Sequence, residues 1–541
     1  MEPETEAIMS GNITDNEANV NMHKAGGNVA KPVKSSVIPL PESSKTRWSW
    51  SLKPAPIPEE QIAETLSCEI LVIGFGSGGA PAALYAASHG ADTIVMTKNG
   101  VVEANGGRVG LWNSKHDAKY GITYDPLHWR KLIAHHTNGR GDARVFGSLV
   151  DRSGEAIDWM LDYMENLGNQ YHLIVSGTEK KHLIAEFPDP NGQGDVRGLY
   201  TGFVKYMKAM AKQVEALGAR VLYKTPAEQL LTDGSGRIVG AVGKRKEDGR
   251  YVRVVASQGV LMATGDITCD QEMLECFCPQ MATCTPRNPY GSTTGDGHKM
   301  AMWVGAAMDT PPFTVGQSYP HDFSGKIWPA GFVTTPWLRV NINGERYCNE
   351  SIGYHDHYAN VYLNTADSMQ PKHLIWQICD SDFSRAFYGN LGAYMTFNYC
   401  VELGSIKRAD SITELADIIG VPADKLEATV RRYNAFCKSG KDMDYGVDAE
   451  ILENTSIEKG PFYALPRMVV NSATEGGMKV NERFQVVNEN RRPLGGLWAA
   501  GTCMGGMYGF SYLWEDMSAS NKMSAMAGGI NAVRDMLGEL S

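Results

Sequence analysis

Three glycines, Gly74, Gly76 and Gly79, stand at the spacing G-x-G-x-x-G inside the run Gly74-Phe75-Gly76-Ser77-Gly78-Gly79. Each place has its own chemistry. A glycine at the first permits a tight turn, one at the second lets a pyrophosphate approach the backbone, and one at the third lets a helix pack closely on a strand. The N-terminus of that helix then presents backbone N–H groups and a partial positive charge to the phosphates. The pattern is informative only where a strand precedes it and a helix follows.

Both are predicted. Ile70-Leu71-Val72-Ile73 is a short apolar run that reads as a buried parallel strand. Ala80 to Ser88 is a helix of small residues, with Pro81 tolerated in its first turn and Gly90 ending it. Thr93-Ile94-Val95-Met96 is the second strand and completes a βαβ unit of about 30 residues. One element departs from the pattern. The end of the second strand ordinarily carries Asp or Glu to hold the adenosine ribose. Here Thr97 stands there, followed by Lys98 and Asn99. Thr97 offers a single hydroxyl, so either the adenosine end is held more weakly or Lys98 and Asn99 substitute.

Further along, residues 202–217 read as a helix and 220–223 as a strand. Residues 238–244 and 251–256 read as a hairpin, and 259–263 as another buried strand. From 286 to 454 aromatics, Pro and Asn rise and βαβ units disappear, with a single helical patch over 412–436. The last segment returns to short strands and a closing helix over 521–537. Residues 1–45 are polar and aperiodic, and Trp48 and Trp50 are expected to pack an extended arm onto the body.

Composition bounds the function. Of 541 residues 58 are glycine, about 11% against a typical ~7%, with no collagen-like period. Hydrophobic residues make 43% and charged residues 21%, so a sizeable core is available. A net charge of −10 argues against a dedicated nucleic-acid binder. The ten cysteines are scattered, and the cluster Cys276, Cys278 and Cys284 lacks a fourth partner for a common zinc or iron–sulfur site. They read as free thiols of a reducing compartment. His355 and His357 flank Asp356 but supply only two nitrogens, so no metal is expected. No apolar run reaches the ~18 residues of a membrane span and no secretory signal is visible, so a cytoplasmic protein is expected.

More glycine segments separate FAD from NAD. Gly106, Gly107 and Arg108 follow the second strand closely. Ala263-Thr264-Gly265 ends a late strand, and Gly501-Thr502 ends another near the C-terminus. An NAD-only domain does not return the chain to its cofactor so late, whereas a two-part flavin domain split by an insertion does. The segments VIGFGSGG from residue 72, NGGRVG from 105, LMATGD from 261, STTGDGHKMA from 292, VNINGERYCNES from 340 and GGLWAAGTCMGGMYG from 495 together resemble the fumarate reductase / 3-ketosteroid dehydrogenase superfamily of flavoproteins. The resemblance covers roughly residues 66–541. It implies an α/β fold: a discontinuous Rossmann-like FAD-binding domain (66–285 and 455–541) with an inserted α+β substrate-capping domain (286–454), after a tail and arm (1–65). It implies FAD contacts at Gly74, Gly76, Ser77, Gly78, Gly79, Thr97, Lys98, Gly106, Gly107, Arg108, Ala227, Ala263, Thr264, Gly265, Asp296, Gly501 and Thr502.

The substrate positions divide that superfamily. Fumarate reductases carry a proton-donating Arg shortly after their R-F-x-N-E motif. Here the motif reads Arg346-Tyr347-Cys348-Asn349-Glu350, and Tyr354 takes the Arg place. Their His-Thr-x-Gly-Gly segment, which holds the dicarboxylate, reads Ala473-Thr474-Glu475-Gly476-Gly477. Their carboxylate-clamping Gly-x-x-Arg reads Gly509-Phe510-Ser511-Tyr512. A small dianion would be poorly compensated there. Both tyrosines resemble the ketosteroid dehydrogenase branch. That resemblance implies that Tyr512 hydrogen-bonds a 3-oxo oxygen as an oxyanion-hole group does, that Tyr354 moves a proton at the alpha carbon, and that hydride passes between the flavin and the beta carbon. Tyr120 is a third candidate. The chain departs from that branch after Tyr512, where Leu513-Trp514-Glu515 replaces Pro-Gly-Pro, and at Thr502, where Glu is usual.

The expected function is formation or reduction of a C=C bond conjugated to a ketone, in a 3-oxo-steroid or bile-acid-like substrate. Trp328, Phe332, Trp337, Tyr354, Tyr358 and Tyr362 suit such a flat apolar ligand. The alternatives are a reductase of an unsaturated carboxylic acid and a non-catalytic flavin electron carrier. The expected partners are the small hydrophobic ketone and an external electron donor or acceptor, since no second nucleotide motif occurs. The oligomeric state is left open.

Overall fold

A computed structural model of the chain describes residues 48–103, 106–177, 180–188, 196–282, 285–286, 291–313, 317–320, 335–351, 374–387, 391–471, 473–509 and 517–540. The chain enters on β1 (Ile62–Ile73), turns into α1 (Gly79–Ser88) and returns on β2 (Thr93–Met96). β3 (Arg108–Leu111), α2 (Ala143–Glu165), β4 (His172–Ser176) and β5 (His182–Glu186) follow. Then come α3 (Val196–Ala216), β6 (Arg220–Leu222), β7 (Ala227–Thr232), β8 (Ile238–Lys244), β9 (Tyr251–Met262) and α4 (Asp296–Trp303). A second region holds β10 (Leu338–Val340), β11 (Leu374–Cys379), β12 (Lys407–Ala409), α5 (Ile412–Ile419), α6 (Ala423–Ser439) and β13 (Phe462–Asn471). The chain closes with β14 (Gln485–Val487), β15 (Pro493–Ala499) and α7 (Ser520–Met536).

The main sheet has the order β14-β15-β9-β1-β2-β6, with β7 and β8 extending it from β9. β15, β9, β1, β2 and β6 run parallel to their neighbours. Their carboxyl ends therefore lie along one edge of the sheet, the edge where open α/β sheets bind ligands. The centre of this sheet, Ile70 to Val72 with Ile94 to Met96 and Val260 to Met262, is fully buried. β3, β5 and β4 form a separate antiparallel sheet.

Two predicted strands merge. Residues 251–256 and 259–263 are one strand, β9, whose first half pairs antiparallel with β8 while the whole runs parallel to β1. β1 likewise begins at Ile62, eight residues before the apolar run. Its first half alternates between exposed and half-buried positions, and only its second half is buried on both faces. A search for continuous apolar runs sees the second half alone.

Small residues of α1 have a packing reason. α7 crosses the glycine turn, and a Cβ on Gly529 would lie 2.3 Å from the Gly78 carbonyl oxygen. The tryptophan arm packs as expected. Trp48 stacks on Trp50 at 6.4 Å, Trp50 stacks on Phe277 at 5.5 Å, and Trp303 Nε1 donates to the Trp50 carbonyl at 3.0 Å.

The described residues divide into two compact units. One takes those between 318 and 470, except 353–360, and the other takes the rest. Residues 291–313 thus belong with the parallel sheet, although the texture change at 286 had assigned them to the insertion. In the inserted unit β10, β11, β13 and β12 form an antiparallel sheet. The helical patch at 412–436 is two helices. Gly420, at φ 73°, caps α5, and Pro422 precedes α6. The Arg346 of the R-Y-C-N-E motif is buried and pairs with Glu350 at 2.5 Å and Asp442 at 2.7 Å, between the rings of Tyr433 and Tyr445. This ion triad fixes the segment from Arg346 to Glu350. Among the described residues no helix is long and apolar enough to cross a membrane.

Candidate active site

The glycine turn is tight where the fingerprint requires it and open where a phosphate must enter. Gly74 has φ +105°, and a Cβ there would meet the Ala263 carbonyl oxygen at 2.1 Å. A Cβ on Gly79 would stand 1.9 Å from the Gly74 carbonyl oxygen. At Gly76 the nearest atom to a Cβ is 3.7 Å away, so the middle of the turn is free for a ligand. α1 starts at Gly79 with Gly78 as N-cap and no side chain bonded to its first N–H groups. That leaves donors for an anion. A glycine cradle with an uncapped helix start fits the pyrophosphate of FAD.

The other glycine segments converge on this turn. Gly74 N donates to the Met96 carbonyl and Ala263 N to the Ile73 carbonyl, both at 2.8 Å. Ala500 N donates to the Met262 carbonyl at 3.0 Å, which brings Gly501, at φ +75°, and Thr502 to the same edge. Thr264 lies against Gly297, where a Cβ would clash at 1.9 Å, and Gly265 faces Thr293. Ala227 starts β7 and is buried.

The end of β2 is filled differently from the expectation. Thr97 is buried, with its backbone bonded to Leu222 and Thr225. The Lys98 amine is held by Asp296 at 2.7 Å, Thr294 Oγ1 at 2.5 Å and the Ser292 carbonyl at 3.2 Å. Asn99 donates its amide to Glu103. Arg108 pairs with Glu186 across β3 and β5 at 2.7 Å. Gly107 precedes it at the same loop.

A buried ionisable cluster occupies the segment that the resemblance places against substrate. Glu475 accepts from Asn521 at the start of α7. Burial first, and the negative charge of Asp266 second, push its carboxyl up to about 8. Burial pushes Asp266 up to about 6. The Lys522 amine, depressed by burial, answers both acids, and its side chain lies against Gly106, 2.9 Å from where a Cβ would be. His298 is held neutral by burial, its value down to about 4, and its Nε2 faces the Gly476 carbonyl at 3.3 Å.

Glu475 predicts a pH dependence. Its folded value of about 8 lies above its unfolded value near 4.5, so its contribution to stability is complete below the lower value and is lost as pH rises toward the upper. At ~1.4 kcal/mol per unit the loss approaches, at most, about 5 kcal/mol. Glu475→Gln keeps the acceptor for Asn521 and cannot ionise. Thermal melts of both proteins from acid to alkaline pH are expected to diverge in favour of the variant as pH rises. A gap that stays constant contradicts the assignment.

Of the catalytic candidates, Tyr120 ends a short 3-10 helix, Asp117–Tyr120, half-buried against the main core. Tyr354 and Tyr512 lie outside the described residues, as do His355, His357 and Cys284. The described cysteines are free thiols, and among the described residues no group of His, Cys, Asp and Glu is placed to hold a metal. Spacing did not point to Glu103, Glu475 or Lys522. An acid inside the small-residue run Ala473-Thr474-Glu475-Gly476-Gly477 was the available signal for the second. The other two become visible only through contacts distant in sequence.

The chain is similar to known flavoproteins over most of its length. A probable fumarate reductase of Shewanella frigidimarina is 26% identical over 483 residues, covering 87% of this chain and 75% of the relative. A 3-oxosteroid 1-dehydrogenase of Mycolicibacterium smegmatis is 25% identical over 545 residues, covering 82% and 93%. The solved 3-ketosteroid delta1-dehydrogenase of Sterolibacterium denitrificans shares the fold at TM-score 0.69 with 18% identity, covering 87% of this chain and 99% of that one. The family model described as FAD binding domain matches residues 69–513, a span that takes in every glycine segment above, and the chain therefore belongs to that family as an FAD-dependent oxidoreductase.

Proposed function

We propose that the protein forms or reduces a C=C bond conjugated to a ketone, in a flat apolar substrate of the 3-oxo-steroid or bile-acid type. One observation carries this reading. Where a dicarboxylate-binding His would stand, the chain has Ala473, and two residues on it has a buried acid, Glu475, with a second acid, Asp266, beside it. An anionic substrate would find no unengaged cation at that place, since Lys522 already answers the two acids, whereas a neutral carbonyl needs none. The relatives named above bear names of both kinds, so the family alone leaves substrate class open.

FAD, when bound, supplies hydride exchange with the beta carbon of the substrate. The chain's own residues do the rest. Tyr512 donates a hydrogen bond to the carbonyl oxygen and stabilises charge that develops there. Tyr354 holds or takes the proton at the alpha carbon. An ordinary tyrosine titrates near ~10, so Tyr354 works as a base near neutrality only with a neighbour that lowers its value. The electrons leave to or arrive from an external partner.

The test is anaerobic. Oxidised and reduced enzyme are mixed with a panel of 3-oxo-steroids, enone bile acids and unsaturated carboxylates, and the flavin absorbance is followed. Ketones are expected to bleach or restore it with saturation. A response to unsaturated acids alone transfers the assignment to the fumarate-type reaction.

A further inference from the structure

The carboxylate missing from the end of β2 has a replacement nearby. Glu103 lies in the loop after β2, where its backbone N donates to the Phe75 carbonyl at 2.9 Å. That contact fastens it to the second residue of the glycine turn. Its own carbonyl oxygen is the atom nearest to Gly76, at 3.7 Å from a Cβ built there. The side chain folds back toward β2. Oε1 accepts from the Asn99 amide, and Oε2 accepts from Ser292 Oγ at 2.9 Å. Burial raises its carboxyl above the usual range, and the Ser292 and Asn99 hydrogen bonds with the charges of Lys98 and Lys246 pull it part of the way back.

We infer that Glu103 is the residue that takes the ribose hydroxyls of the adenosine half of FAD, in the role usually filled from the end of β2. Three points support this. First, the place is right: the carboxylate stands between the first two glycines of the turn and the end of β2, where a dinucleotide lays its ribose. Second, the other candidates are engaged. Thr97 is buried in the backbone ladder, the Lys98 amine already has three acceptors, and Asn99 gives its amide to Glu103 itself. Third, the carboxylate has capacity. Two oxygens offer about four acceptor sites, and Asn99 and Ser292 account for two. These two donors orient the group and leave acceptors for a pair of vicinal hydroxyls. The inference concerns the cofactor alone and does not depend on the substrate assigned above.

The test uses full-length protein stripped of FAD and titrated with FAD by flavin fluorescence. A charge-assisted hydrogen bond lost to a ligand weakens binding about ten- to a hundredfold. Glu103→Ala is expected to show that loss, and Glu103→Gln a smaller one. The decisive measurement is displacement of FAD by ADP and by 2′,3′-dideoxy-ADP. The wild type is expected to favour ADP about tenfold or more, and Glu103→Ala to bind both alike. The inference is overturned if the alanine variant keeps the preference for ADP, or if the wild type has none. It is also overturned if the glutamine variant, which keeps the side-chain shape, binds FAD as tightly as the wild type. That last result decides the matter even where the alanine protein does not fold.

Discussion

Gly76→Ala protein is expected to fold normally and to bind FAD at least about a hundredfold more weakly than the wild type. The two effects separate because of where the methyl would go. At Gly76 it makes only ordinary van der Waals contact, its nearest neighbour being the Glu103 carbonyl oxygen at 3.7 Å. The apo protein should therefore melt within about 0.5 kcal/mol of the wild type. The same space is where the backbone must meet a pyrophosphate, and the methyl would hold the phosphates off several N–H donors at once. Gly79→Ala is the control with the opposite outcome. Its methyl would stand 1.9 Å from the Gly74 carbonyl oxygen and 3.1 Å from Val72 Cγ1. The closer of these is backbone and cannot swing aside, so a loss of about 3 kcal/mol or more is expected, with little soluble protein. Apo melting curves and fluorescence titrations check both. Normal FAD binding by Gly76→Ala, or a melting point as low as that of Gly79→Ala, would contradict the cradle described here.

The second large effect concerns the tyrosines. Tyr512→Phe is expected to lower turnover about a hundred- to a thousandfold, the cost of removing one oxyanion-type donor. Tyr354→Phe is expected to lower it about a hundred- to ten-thousandfold, the range for a positioned proton-transfer group. Both proteins should stay yellow and keep their flavin spectrum, because neither residue belongs to the glycine cradle. The measurement is single-turnover flavin reduction or reoxidation with the best substrate of the panel. Wild-type rates in both variants would end the tyrosine mechanism while leaving the FAD-binding fold untouched. Colourless variants would instead show that the phenyl rings disturb the cofactor.

Several features follow from local sequence because their cause is local. The turn at Gly74 needs a positive φ, α1 needs small residues where α7 crosses, and β2 and the second half of β1 need apolar runs because both faces are covered. Each of these is a constraint on residue type at fixed spacing, and each is readable without knowing what lies across the fold. The assignment to an FAD-binding family rests on the same kind of information, several glycine segments in order.

The register of the strands was less legible. β9 changes partners along its length, antiparallel with β8 at first and parallel to β15 at the end. Its burial pattern changes with them, so periodicity divided it into two strands. Around the insertion, composition and contacts divide the chain differently for a related reason. Composition changes at 286, but α4 contacts Thr264 and Lys98, which follow strands of the parallel sheet.

The site shows the same division. The sequence by itself determined the dinucleotide cradle, the absence of a His at Ala473, and the absence of an acid at Thr97. It could not say what replaces that acid, since Glu103 reaches β2 through a loop and is oriented by Ser292, 189 residues away. Nor could it show that Glu475, Asp266 and Lys522 share one buried space. A charge acquires its meaning from its neighbours and from the water it has lost, and only the tertiary structure fixes both.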